Sequence, residues 1–149
     1  MKPYEQLVGI QNAAEVAYAA WEAEMTKFSQ AFLKTLKGEL GWPDQSFTPL
    51  VGGDVPAGGR RAAGGYVDAE GYHFAVRIGL GRSWLQVVFI ASRSGTSEQG
   101  VYTVRIGEEA YVVELDDAKT FSPIVDGIVS GMKKTLLEGE LAVLTGYTP

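Results

Sequence analysis

Tyr72-His73-Phe74-Ala75-Val76-Arg77-Ile78-Gly79-Leu80-Gly81-Arg82-Ser83-Trp84-Leu85-Gln86-Val87-Val88-Phe89-Ile90 carries two period-two patterns on either side of Gly81-Arg82. Successive side chains of a strand point to opposite faces, so this alternation predicts strands over Tyr72–Leu80 and Ser83–Ser92 joined by a tight turn. One face collects Phe74, Val76, Ile78, Leu85, Val87 and Phe89. The other collects His73, Ala75, Arg77, Trp84, Gln86, Val88 and Ile90.

Working outward toward the C-terminus, a polar loop from Arg93 to Gly100 leads to a second hairpin. It runs over Val101–Ile106, a Gly107-Glu108-Glu109 turn and Ala110–Leu115. Tyr102, Val104, Ile106, Tyr111, Val113 and Leu115 extend the apolar face. Val101, Thr103, Arg105, Val112 and Glu114 extend the mixed one. Toward the N-terminus, Arg61–Val67 reads as a strand ending in the turn Asp68-Ala69-Glu70-Gly71. Consecutive pairing of such strands predicts a four- or five-stranded antiparallel meander.

Helices flank the strands. Leu7, Ile10, Ala14, Tyr18, Trp21, Met25, Phe28, Phe32 and Leu36 recur at steps of three and four, the period of one long amphipathic helix from about Pro3 to Lys37. Gly38, Gly41 and Pro43 supply its stop. A second helix is expected with Ser122 as its N-cap and Pro123 at its first helical position, and with Ile124, Val125, Ile128, Val129, Met132, Leu136 and Leu137 as its stripe. Residues 41–59 form a Gly/Pro-rich, adaptive connection with a short strand near Phe47–Val51. The expectation is one α+β domain over 1–149 with both helices on one sheet face.

The composition agrees with a packed domain. The chain has 149 residues, 46% hydrophobic, enough for a core without metal or disulfide staples. It has no cysteine, which removes thiol catalysis, thiolate metal sites and disulfides. A net charge of −5 argues against nucleic acid as a partner. No signal peptide or membrane span is read, so a cytoplasmic protein is expected.

Apolar residues are more plentiful than two helix stripes and one sheet face require. Trp84, Val88, Ile90, Val101 and Val112 would crowd the second face, which either the Gly-rich connection covers or a partner does. The first helix, at about 50 Å, also exceeds any dimension of such a sheet. It must bend or break near Gly9–Asn12, or pack against a second chain, and a symmetric homodimer is the simplest arrangement.

Catalytic patterns are weak by comparison. His73 is the only histidine and no serine pairs with it as a nucleophile, so it reads as a packed or surface side chain. Glu114, Asp116 and Asp117 offer oxygen ligands for a hard cation, although acidic residues are ordinary in turns; no metal or other cofactor is expected. Asp117-Ala118-Lys119 resembles the acidic-x-Lys of metal-dependent nucleases over only three residues. Gly79-Leu80-Gly81 leads into a strand, not a helix, so it is no dinucleotide fingerprint, and Gly58-Gly59-Arg60-Arg61 is no P-loop.

The sequence therefore predicts a non-enzymatic protein-binding module of inhibitor, adaptor or chaperone type. It would bind through the mixed sheet face and the loops, with Trp84, Gln86, Arg77, Arg105 and Glu114 on the face and Trp42, Arg60 and Arg61 in flanking loops. Its partner would be another protein, a second copy, or both. Two alternatives stand beside it. One is a small-molecule binder or enzyme with a pocket between sheet and helices, facing Tyr18, Tyr102 or Tyr111 and edged by His73 or Arg77. The other is a magnesium-dependent nuclease.

Overall fold

The structure, a computed structural model, describes residues 2–51, 54–93 and 100–138. It contains a long helix α1 (Pro3–Leu40), strands β1 (Phe47–Leu50), β2 (Arg60–Ala62), β3 (Gly65–Asp68), β4 (Gly71–Leu80), β5 (Ser83–Arg93), β6 (Val101–Ile106) and β7 (Glu109–Glu114), and a helix α2 (Ser122–Glu138). The α+β class, the helix–sheet–helix order and the antiparallel pairing follow the sequence reading, but the sheet has seven strands rather than four or five. The extra strands come from two short segments. Arg61–Val67 folds as the hairpin β2–β3, with Gly64 at φ 83° supplying the turn, and β1 is a full sheet member.

The order along the sheet is β2-β3-β4-β5-β6-β7, and β1 also pairs with β4. This departs from strictly consecutive pairing. β4 is ten residues long, and β3 covers only Gly71–His73 of its edge, so β1 occupies Ala75–Ile78 of the same edge. At the two tight hairpins Leu80 pairs with Ser83 and Ile106 with Glu109, around Gly81 and Gly107 at φ 62°. Glycine at the first of two loop residues gives the turn twist that matches the strands.

α1 is one uninterrupted helix, so Gly9–Asn12 is not a break. At 1.5 Å per residue its 38 residues span about 57 Å. Gly41, at φ 66°, donates its amide to the Gly38 carbonyl while the Trp42 amide bonds Lys37, closing the last turn in the left-handed manner glycine permits. At α2 the sequence signal was displaced. Ser122 is not the cap: a 3-10 turn over Ala118–Phe121 precedes it, and Asp117 Oδ1 accepts the Lys119 amide at its start.

Both helices pack on the face formed by Tyr72, Phe74, Val76, Ile78, Leu85, Val87, Phe89, Tyr102, Val104 and Val113. Phe32 of α1 lies at the centre, fully buried, with its ring 5.0 Å from Phe89, 5.4 Å from Phe121, 5.6 Å from Phe28 and 5.8 Å from Phe74. Offset and edge contacts of this kind add to the area each ring removes from water. Among the described residues no helix lies on the other sheet face, and none is long and apolar enough to cross a membrane.

Candidate functional site

The sheet face on which no described helix lies is built around the β4–β5 pair. Register places Ala75 opposite Val88, Arg77 opposite Gln86 and Gly79 opposite Trp84. Since Gly79 has no side chain, the Trp84 ring is free to lie beneath the Arg77 guanidinium, whose carbon stands 4.3 Å from the ring centroid. Beside this pair is an outer depression of about 420 Å³ lined by Leu50, Val51, Tyr66, Ala75, Gln86 and Val88 among others. The small side chain of Ala75 leaves this hollow. Gly59 of the connection comes against Tyr66, while Trp84 and Gln86 stay half-exposed and Val88 exposed.

The same region holds an open strand edge. β6 pairs with β5 only from Ile90 to Arg93, after which the β6–β7 hairpin turns away at Gly107. Ser83-Trp84-Leu85-Gln86-Val87-Val88 therefore has β4 on one side and, among the described residues, no strand on the other. This segment contains no charge, proline or glycine. Leu85 and Val87 are buried beneath it in the core.

At the far end of the face, His73 is buried and stacks on Tyr66 with ring centroids 4.2 Å apart. Its Nε2 lies 2.8 Å from Asp68 Oδ1, the same oxygen that accepts the Glu70 amide. Glu70 in turn approaches Arg105 at 3.8 Å. One ligand atom from each of Asp68, Glu70 and His73 falls within 4.8 Å of the others, a spacing compatible with a metal ion. Their hydrogen bonds also make them a lock on the β3–β4 hairpin, which accounts for the geometry without an ion.

Partial burial works to raise the Asp68 carboxyl, but the His73 hydrogen bond, the backbone amides and the histidine charge outweigh it and hold it below the ordinary aspartate range. A depressed carboxyl stabilises the fold above its unfolded value near ~3.9 and loses that contribution as pH falls through the lower folded value. Asp68→Asn should accordingly flatten the acid limb of the stability profile, measured by urea unfolding at neutral pH and at successively lower pH. An acid limb as steep as that of the parent protein would remove Asp68 from the account.

The structure brings Trp84, Gln86 and Arg77 together, with Arg105 and Glu114 further across the same face on β6 and β7. Arg61 shares this face by its register with Tyr66. Arg60 lies on the other side, its guanidinium 4.0 Å from the Tyr18 ring centroid and 3.6 Å from Glu15. Trp42 is half-buried against the core and donates its indole N–H to the Gly79 carbonyl at 2.8 Å, bracing the β4–β5 hairpin. Asp117 spends Oδ1 on the Lys119 amide.

A second groove of about 500 Å³ lies between α1 and the β1 edge, lined by Leu33, Phe47, Pro49 and Leu50 with Thr26, Ser29, Gln30, Lys34 and Lys37. None of Tyr18, Tyr102, Tyr111, His73 or Arg77 lines it. Tyr102 instead stacks on Phe28 at 4.0 Å. Sequence reasoning missed Lys34 and Lys37 because they sit on the polar side of α1, and missed Leu50 and Tyr66 because the split of the β4 edge between β1 and β3 is a tertiary pairing.

Comparison with family models, curated proteins and solved structures finds no match.

Proposed function

We propose that the chain is a protein-binding module that captures an extended segment of a partner as an additional strand along Ser83–Val88 of β5. The observation that carries this is the six-residue edge, uncharged and free of proline, beside a face on which no helix of the described residues lies. Exposed edges of this kind template pairing with other chains and are ordinarily blunted by charge, proline or a bulge. β1 shows such blunting, with Pro49 in a four-residue strand. The β5 edge lacks it.

In strand addition, main-chain hydrogen bonds provide affinity and pockets for alternate side chains provide selectivity. Here the captured strand would set one row of side chains beside Trp84, Gln86 and Val88. Arg77 favours an acidic residue in that row, and the outer hollow favours an apolar one.

Selection from a library of extended peptides should enrich alternating β-branched sequences carrying one acidic residue. Binding should protect backbone amides within Ser83–Val88 from hydrogen exchange. Trp84→Ala combined with Val88→Lys should weaken the selected peptide at least ~10-fold, about 1.4 kcal/mol, with the unfolding midpoint little changed. Undiminished binding by that variant, or protection elsewhere than β5, would sink the reading.

A further inference from the structure

α1 outruns the body it packs on. Residues 2–17 are exposed throughout, and the first buried side chain is Met25. Yet this segment carries large apolar groups in the open: Tyr4 is 76% exposed, Leu7 64% and Ile10 65%. A lone helix of this length is marginal in water, and Gly9 within it weakens it by about 1 kcal/mol. The overhang therefore needs something to pack against.

Leu7, Ile10, Ala14, Ala17 and Trp21 prolong the stripe that Met25, Phe28 and Phe32 bury against the sheet. Trp21 already packs against the chain's own core, and on the overhang that remains the bulk is uneven: Leu7 and Ile10 lie N-terminal to Asn12, Ala14 and Ala17 C-terminal to it. An antiparallel register centred on Asn12 resolves that imbalance. It sets Leu7 against Ala17 and Ile10 against Ala14 of a second copy, twice over by symmetry.

Paired over residues 3–21, two such helices bury on the order of 1,000 Å² in total, the lower bound for a specific interface. A lipid surface fits less well, because membrane-surface helices carry basic polar faces and residues 2–17 hold one lysine against two glutamates. We propose that residues 3–21 of α1 pair antiparallel with the same residues of a second copy, forming a homodimer with the two sheets at opposite ends. This stands on the overhang alone and does not depend on strand capture at β5.

Sedimentation of the full chain should give twice the 16.0 kDa of one chain. Leu7→Glu with Ile10→Glu should sediment at the single-chain mass, with the selected peptide still bound as tightly per chain. The absence of native cysteine allows the direction to be read by cross-linking. Leu7→Cys with Ala17→Cys should oxidise to a covalent dimer. Leu7→Cys alone should not, since the antiparallel register keeps the two Leu7 positions about 15 Å apart along the axis, beyond disulfide reach. A wild-type chain that is monomeric at every concentration overturns the proposal. So does a dimer that survives the double glutamate variant, or one that Leu7→Cys alone cross-links.

Discussion

Phe32→Ala is expected to lower the free energy of unfolding by about 3–5 kcal/mol, the largest single effect available in this core. The side chain has no exposed surface and touches four other aromatic rings, from α1 itself, β4, β5 and the turn before α2. Truncation removes a whole ring's transfer free energy and leaves a cavity whose walls are anchored on four separate elements, so collapse around it is limited. Against the 5–15 kcal/mol that folded domains possess, such a loss brings the chain close to unfolding. Urea denaturation of parent and variant measures it. A cost under about 1 kcal/mol would mean that Phe32 does not tie the helices to the sheet as described.

Gly65→Ala is expected to be the second most damaging change, at about 1–3 kcal/mol, although it adds one methyl group. A Cβ at this position would stand 1.8 Å from the His73 carbonyl oxygen, and the obstructing atom is backbone. Relief requires β3 to move away from β4, which breaks the Tyr66–His73 and Val67–Tyr72 pairings and the stacking of Tyr66 on His73. The loss should be local before it is global. Amides of the β2–β3 hairpin should lose exchange protection while those of β4–β5 keep theirs. Gly38→Ala is the matched control: it lies in α1 with nothing within 4 Å of the added carbon, and it should be neutral or slightly stabilising. Equal effects at the two positions would contradict the packing around Gly65.

Much of the fold was legible because its signals are local. The stripe from Leu7 to Leu36 follows the 3.6-residue period, and Gly81 and Gly107 stand where the two hairpins turn. The alternation in Tyr72–Ile90 correctly sorted the residues that became core from those on the opposite face. Register was not legible. A slip of one residue inverts the faces, but a slip of two preserves them, so alternation is silent on how far β6 slides along β5. That slide leaves Ser83–Val88 paired to β4 alone among the described strands and creates the candidate site. Trp84, Gln86 and Arg77 were identifiable as polar or aromatic residues on one face, but the hollow beside them depends on β1 and β3 sharing the edge of β4.

By itself the sequence determined which residues avoid water, where the chain turns and that α1 is too long for its sheet, because each of these is set by neighbours a few positions away. Only the tertiary structure decided which edge stays open, that no helix of the described chain covers the outer face and that α1 runs unbroken past its own core. Those outcomes depend on contacts between residues far apart in the chain, where packing and hydrogen-bond pairing, rather than local periodicity, select among alternatives with the same pattern.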